Sequence, residues 1–213
     1  MLWRYQLFIG FLIFHVSSCS IPDIDDDGVL IEAKKEAIAL SSLDRKFMYG
    51  MLPLFVDKNN HPHTGWVKEW SQDKEQNFLG YLLDGRKEGT WLSWDRNGTI
   101  RSKIGWTEDR MEGIFRLWHA NEQVLVDGQT FDGEVTGRWQ EFYSTGQLAC
   151  DSMNRSGHLV SIKVWHPDGS PCLNSKVISG NGSFFRYLEN GQPEHKRIFE
   201  RGVETSREIF NQR

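Results

Sequence analysis

Three aspartates near the N-terminus have the side chains and spacing for calcium chemistry. Asp23, Asp25 and Asp27, followed by Gly28, match the first half of a calcium-binding loop. The twelfth position of such a loop should be a bidentate Glu, and here it is Lys34. The clustered carboxylates are explained without a metal as a solvated tether, so we expect no calcium site.

Histidine and cysteine indicate little more chemistry. His61 and His63 would share one face of a strand near Asp57, but Pro62 between them indicates a turn, and a third ligand is lacking nearby. Cys150 has neither a flanking basic residue nor an obvious His partner to activate its thiol. The chain has no Gly-x-Ser-x-Gly elbow, phosphate-cradling loop or His-Glu-x-x-His motif. We therefore expect a protein that is not an enzyme and holds neither metal nor cofactor.

The N-terminus reads as a targeting segment over residues 1–18. The apolar run from Leu7 to Phe14 follows Arg4 and is too short to span a bilayer. The run ends in Val16-Ser17-Ser18-Cys19, which resembles the lipobox of bacterial lipoproteins. That resemblance implies diacylation of Cys19 as the mature N-terminus, with Ser20 favouring the outer membrane and the body of the protein facing the periplasm. The alternative is an ordinary secretory signal cut near Ser18.

Composition limits the remaining function classes. The formal net charge of −4 provides no basic field, so we expect no nucleic-acid partner. Aromatic residues make up 13% of the chain and nine residues are Trp. Large rings with a polar edge suit a thin structure, in which side chains are half-buried and still reach water.

Aromatic residues recur along the chain, and the step from one to the next is nearly constant. This main aromatic column consists of Trp70, Trp94, Trp118, Phe142, Trp165, Tyr187 and Phe210. A Gly stands five positions before several of them, and a second aromatic column follows two positions after that Gly, at Trp91, Phe115, Trp139 and Phe184. Periodicity of this kind predicts tandem repeats.

Each repeat reads as a β-hairpin. The stretch from Gly89 to Trp94 has strand-type residues and leads into Asn97-Gly98, a strong two-residue hairpin signal because both residues tolerate positive φ. Successive hairpins predict an all-β fold, an elongated single-layer antiparallel meander of about six repeats over 65–213. Trp91 and Trp94 are three residues apart, so they should lie on opposite faces.

The repeat pattern resembles a known family. Gly-x-Trp-x-x-Trp-x-x-Asn-Gly, as at Gly89 to Gly98, followed by a strand and an acidic Gly-rich turn, looks like the MORN repeat over about residues 63–210. It is most similar to the variant in bacterial YwqK-family antitoxins. The resemblance implies a binding module and toxin neutralisation, although a lipid-anchored periplasmic protein is poorly placed to meet a cytoplasmic toxin. Glu122 at a turn-Gly position and Val160 at a start-Gly position depart from the pattern, and we expect looser hairpins there.

The segments outside the repeats have separate expectations. We expect a tether and short helical arm over 19–45 and a capping hairpin over 46–64, which would protect the sheet edge. Cys150 and Cys172 fall on corresponding strands of successive hairpins, with one strand between them. That separation is about twice the 4.8 Å strand spacing, beyond the Cα limit of roughly 7 Å for a disulfide. We predict two unpaired thiols.

These patterns lead to two hypotheses of function. The first is a non-enzymatic protein-binding or scaffold lipoprotein, in which the main aromatic column packs or binds and Trp66 and Trp106, outside it, contact a protein partner. The alternative is a module that binds cell-envelope glycan or a membrane surface through its aromatic face.

Overall fold

The computed structural model describes residues 21–47, 53–70 and 76–210. One open sheet of 14 strands dominates these residues, and its strand order follows the chain. Every neighbouring pair is antiparallel except β1, which pairs parallel with β4. The predicted single-layer meander of hairpins is therefore confirmed. The proposed lipid site, Cys19, lies outside the described residues.

The elements are one α-helix, one short 3-10 helix and sixteen strands in the described ranges. The helices are α1 (Asp27–Glu36) and η1 (Leu40–Ser42). The strands before the repeats are β1 (Ile38–Ala39), β2 (Asp44–Lys46), β3 (Leu54–Val56) and β4 (Gly65–Glu69). The strands that follow are β5 (Gln76–Leu83), β6 (Arg86–Asp95), β7 (Ile100–Thr107), β8 (Arg110–Trp118), β9 (Val124–Phe131), β10 (Glu134–Phe142), β11 (Leu148–Arg155), β12 (His158–Val164), β13 (Lys176–Ile178), β14 (Asn181–Tyr187), β15 (Pro193–Glu200) and β16 (Val203–Ile209).

The N-terminal segment covers both faces of the first strands of the sheet. Ala33 and Ala37 of the helical region are buried against Leu79 and Leu92, on the side that we call the helix face. The chain then passes the sheet edge through β1, and Phe55 of the β2–β3 hairpin packs with Leu82 and Trp91 on the opposite side, the hairpin face. Because successive strand residues alternate between faces, the two clusters lie on opposite sides of one sheet.

Residues 21–26 lie on the sheet, where the sequence suggested a tether. Ile24 is only 2% exposed, and the Lys103 ammonium donates to the Asp25 carboxylate over 2.6 Å. Asp26 caps α1 by accepting from the backbone N–H groups of Gly28 and Val29. The acidic run therefore starts the helix and fixes it to the sheet.

The two ends of each hairpin repeat carry different turns. At one edge of the sheet both central residues have positive φ, as in Asp84–Gly85 (49° and 78°) and Asp132–Gly133 (51° and 85°). These are the φ signs of a two-residue type I′ turn. At the other edge, Gly98 has positive φ and Asn97 before it does not, so the expected primed turn at Asn97-Gly98 was wrong. Asp95 is the cause, because its carboxylate accepts from the backbone N–H of residues 97 and 99 and fixes a longer turn.

The primed turns join each repeat to the one before it. In six turns of the described chain a backbone N–H donates to a carbonyl at the equivalent edge of the preceding repeat, at 2.7–3.1 Å. The pairs are Gly85 to His63, Asp109 to Lys87, Gly133 to Met111, Gly157 to Val135, Gly180 to Val160 and Gly202 to Gly180. The Glu88 and Glu112 carboxylates accept in a similar way from backbone N–H groups of the turn in the next repeat. Neighbouring repeats are thus connected outside the strand ladder as well as through it.

The two degenerate repeats behave differently from each other. At Glu122 the turn keeps the hydrogen bonds of its Gly-containing equivalents, with His119 N–H donating to the Gln123 carbonyl over 2.8 Å. The expected loosening was wrong here, because Glu122 itself adopts a φ of 66°. The repeat of Val160 is looser as expected, since β12 and β13 share only the Ile162–Val177 partner pair.

Glu122→Gly should stabilise the protein by about 1 kcal/mol, because glycine removes the cost of a left-handed conformation at a side-chain-bearing residue. Chemical denaturation would measure the change. Gly191→Ala is the matched control: it has a φ of 82° in an equivalent turn and nothing within 4 Å of an added Cβ. It should destabilise by a similar amount. If neither variant changes stability, backbone strain at this turn position is not a cost in this protein.

The C-terminal part of the sheet has its own buried cluster. Its members include Leu159, Ile162, Val177, Phe184 and Phe199. The turn between β15 and β16 reaches back to β12, where the Gly202 carbonyl accepts from the Leu159 backbone N–H over 3.0 Å. The sheet therefore curls around the hairpin-face side chains at this end. None of the described helices is long and apolar enough to cross a membrane.

Candidate functional site

Rings on the hairpin face pack over glycines of the preceding strand. A Cβ added to Gly80 would stand 2.1 Å from Trp91 Cδ2, and one added to Gly128 would stand 2.2 Å from Trp139 Cε3. In the intervening repeat Ile104 occupies the position equivalent to these glycines, and the ring that follows it is the smaller Phe115. Ring size and the side chain beneath it are therefore matched. In each of these repeats the ring follows the glycine, or Ile104, at the same distance along the sequence. This constant spacing is the sequence feature that could have revealed the contact.

A groove opens on the hairpin face between β10 and β15. Its volume is about 250 Å³, and Trp139, Phe184 and Phe199 contribute aromatic surface to its lining. Phe184 and Phe199 are stacked with ring centroids 5.6 Å apart. The buried contacts of the described N-terminal residues, 21–47 and 53–62, lie with β4 to β7. These residues therefore do not cover this part of the hairpin face.

One ion pair is set into the wall of the groove. The Arg186 guanidinium pairs with the Glu141 carboxylate and also donates to Cys150 Sγ over 3.6 Å. Burial alone would lower the pKa of Arg186, but the neighbouring Glu141 raises it overall. Burial raises the pKa of the Cys150 thiol to about 12, and Glu141 adds to the shift. Cys150 is therefore held as a neutral thiol, unsuited to nucleophilic chemistry.

A second charged group lines the other side of the groove. Arg197 Nε donates to Glu204 Oε2 over 2.7 Å, and its guanidinium lies 5.5 Å and 5.3 Å from the ring centroids of Phe184 and Phe199. Arg207 donates to the same carboxylate over 2.7 Å. The cationic plane is thus fixed against the rings by a shared acidic partner.

The Glu204 carboxylate should make stability depend on pH below 4.5. The hydrogen bond from Arg207 is the largest cause that lowers its pKa from 4.5 to about 2, burial opposes it, and Arg197 adds to the lowering. A depressed folded-state pKa stabilises above the unfolded value, and this contribution is lost as pH falls from about 4.5 towards 2. Denaturation midpoints across that window should fall more steeply for the native chain than for Glu204→Gln. Equal slopes would contradict this assignment.

The main aromatic column lies at one edge of the sheet. Its members lie at or next to the last residue of β6, β8, β10 and β14, or directly follow β4, β12 and β16. Trp70 is 54% exposed and stands 5.5 Å from Trp94, over whose ring the Lys34 ammonium lies. Trp118, Phe142, Trp165, Tyr187 and Phe210 are half-buried beside the turns. The main aromatic column therefore runs along one edge of the sheet, and its residues do not line the groove between β10 and β15.

The two candidate contact residues, Trp66 and Trp106, lie on opposite faces. Trp66 packs against the buried cluster under α1 and contacts Tyr81 edge-on at 5.1 Å. Trp106 is on the hairpin face, with the Lys87 ammonium 4.3 Å from its ring centroid. The predicted opposite placement of Trp91 and Trp94 is confirmed, since they belong to the clusters of the hairpin and helix faces.

The middle of the helix face is charged. Arg116 pairs with Asp127 and Arg138 with Asp151, each at 2.9 Å between nitrogen and oxygen. These cross-strand pairs contrast with the aromatic lining of the opposite face. The sheet thus presents two chemically different surfaces.

The structure also describes the histidine and cysteine residues that the sequence analysis considered. His61 Nδ1 lies 3.6 Å from Asp57 Oδ2, and within 21–47, 53–70 and 76–210 no three His, Cys, Asp or Glu side chains gather as metal ligands. Cys150 and Cys172 are buried free thiols. Val164 of β12 separates them, because it partners Cys150 across the ladder and its carbonyl accepts from Cys172 N–H.

One hairpin of the sheet matches a known repeat family. Residues 87–106 match the family model of the MORN repeat variant, and they span the hairpin of β6 and β7. This hairpin is therefore similar to a MORN repeat. This supports the resemblance seen across the other hairpins, and MORN repeats are in general protein- or membrane-binding modules.

Similarity to whole proteins adds no functional information. No curated protein matches the chain. A crystal structure of a point mutant of S. aureus TarM, in complex with fondaparinux, α-GlcNAc-glycerol and UDP, is similar with 10% identity over 65% of this chain. The chain spans 22% of that protein's length, and the TM-score of 0.20 is too low to support a common fold.

Proposed function

We propose that this protein is a non-enzymatic scaffold that binds a protein partner along the hairpin face of its MORN-type sheet. The single observation that carries the proposal is the aromatic groove between β10 and β15. It combines Trp139, Phe184 and Phe199 with Arg186 and Arg197, and Trp and Arg are the residue types that contribute most at protein interfaces. The charged helix face, with its satisfied ion pairs, is the weaker candidate.

The proposal includes a lipid anchor at Cys19. In the sequence one residue, Ser20, separates Cys19 from Ile21, whose Cγ2 would be 2.9 Å from a Cβ on Gly89 of β6. Acylation would therefore hold the sheet itself next to the membrane, without a long flexible tether. We place the protein in the cell envelope, on the periplasmic side of the outer membrane. The YwqK-family resemblance makes a toxin that acts in the envelope one class of partner.

A photo-reactive amino acid introduced at position 135 tests partner binding in the intact lipoprotein in living cells. Val135 lines the groove, and Gln129 on the helix face is the matched control position. We expect a discrete crosslinked product from position 135 that is absent from position 129 and is lost when Trp139 is replaced by Ala.

Equal crosslinking from both positions, or none from either, would contradict the proposed face. Sedimentation with purified peptidoglycan that depends on Trp139 would instead favour the glycan-binding alternative. The anchor is tested separately by metabolic labelling with a fatty acid, which should label the native chain and not Cys19→Ser. Failure of labelling would remove the anchor and leave the binding face unaffected.

A further inference from the structure

A second cavity lies at the opposite end of the sheet, between the β2–β3 hairpin and the hairpin face. Its volume is about 370 Å³, within the usual range of small-molecule pockets, roughly 300–1,000 Å³. Phe55, Trp91 and Trp106 form aromatic walls, and Arg45 and Lys87 also line it. Phe55 and Trp91 are buried at 8% and 6% exposure, so the walls are held by the fold.

Both cations in this cavity lie against rings and not against acids. The Lys87 ammonium is 4.5 Å from the Trp91 ring centroid and 4.3 Å from that of Trp106. The Arg45 guanidinium is 5.0 Å from the Phe55 ring centroid. Throughout the described ranges neither charged group forms an ion pair with a carboxylate. The cavity therefore presents two positive charges that no carboxylate of the described residues pairs with directly.

The Arg45 charge acts on the Lys87 ammonium at this cavity. Burial lowers the pKa of Lys87, Asp109 opposes the shift, and Arg45 lowers it further as a like charge. Asp109, the acidic group that opposes the shift, accepts the backbone N–H of Lys87 at its Oδ1 over 2.8 Å and forms no ion pair with the Lys87 ammonium. Two like charges held at one cavity are unfavourable unless an anion joins them.

We propose that this cavity binds a small aromatic carboxylate. The carboxylate would pair with Lys87 and Arg45, while the flat body would stack on Phe55, Trp91 and Trp106. The hydroxyl pair of Ser93 and Ser102, 2.6 Å apart, lies in the same lining and offers polar contacts. Arg45 and Phe55 precede the repeats, so the repeat pattern alone does not indicate this site.

Calorimetric titration of the full chain with 2-naphthoate tests the proposal, with the uncharged 2-naphthylmethanol as the matched ligand. We expect 2-naphthoate to bind at least tenfold more tightly, because only it satisfies the two cations. Lys87→Gln and Arg45→Gln should each weaken 2-naphthoate binding about fivefold to tenfold, which corresponds to roughly 1.0–1.4 kcal/mol. Lys163→Gln, a lysine in β12 outside the cavity, should leave binding unchanged.

Equal affinity for the two compounds would overturn the proposal, and so would binding that is unaffected by Arg45→Gln. Absence of binding at millimolar 2-naphthoate would do the same. Arg45 is exposed, so its replacement keeps the test valid even if Lys87→Gln unfolds the hairpin contact. None of these outcomes bears on the groove between β10 and β15, which is tested by crosslinking.

Discussion

Gly128→Ala should lower the free energy of unfolding by about 3 kcal/mol, the upper part of the usual range for overpacking a core. The added methyl would stand 2.2 Å from Trp139 Cε3, and the ring cannot move freely because Phe115 packs on it with centroids 5.0 Å apart. Gly128 does not have a positive φ, so backbone strain contributes nothing. Chemical denaturation followed by tryptophan fluorescence would measure the loss.

The Trp139→Ala background is the control for this prediction. Without the indole the added methyl has space, so Gly128→Ala should cost less than about 0.5 kcal/mol there. A large cost in both backgrounds would show that glycine is required for another reason. The coupling between the two positions thus tests the ring-over-glycine contact directly.

Glu141→Ala should cost about 2–3 kcal/mol, because it leaves the half-buried Arg186 guanidinium without its carboxylate partner. The side chains are 30% (Arg186) and 22% (Glu141) exposed, which places the expected cost below that of a fully buried pair. Replacing both residues with apolar ones of similar size, as in Glu141→Leu/Arg186→Met, should recover much of the loss. Equilibrium denaturation of the single and double variants would measure both effects.

Asp151→Ala on the helix face is the matched control. It removes the partner of Arg138, whose side chain is 60% exposed, and surface pairs contribute about 0–1 kcal/mol. The Glu141 variant should therefore be clearly the less stable of the two. Equal costs would mean that Arg186 is as well hydrated as Arg138 and that the groove wall is wetter than its geometry indicates.

The sequence predicted the meander because its information is periodic. The constant intervals between aromatic residues predict the hairpins. The spacing of three residues between Trp91 and Trp94 predicts that these two side chains lie on opposite faces of the sheet. The turn at Gly98 was mistaken because Asp95, at the start of the turn, organises it through side-chain hydrogen bonds that compete with a primed turn. The side-chain hydrogen bonds of Asp95, and not the Asn-Gly pair, determine the type of this turn.

The parts that the sequence did not predict come from contacts between unlike segments. Ile24 lies on the sheet because it buries its side chain against Leu79 and Leu92, although its acidic neighbours indicated a solvated tether. Arg45 and Lys87 line the same cavity only because the β2–β3 hairpin folds over β6, which is distant in the sequence. Neither of these two arrangements recurs from repeat to repeat, so aligning the repeats cannot reveal it. The groove was missed for a similar reason, because Trp139 of β10 and Phe184 of β14 come to line it only through the curl of the sheet across several strands.

The hydrogen bonds between turns of successive repeats also determine how the sheet responds to force. Each repeat is tied to its immediate neighbour, and strand hydrogen bonds run along the direction in which the hairpins are stacked. A pull along that direction therefore loads a few bonds at a time, and we expect hairpins to peel away one after another. The strands β4 to β7, clamped between the helix and the β2–β3 hairpin, should be the last to open. A protein held at its N-terminus would then extend in steps under load and keep its anchored end folded.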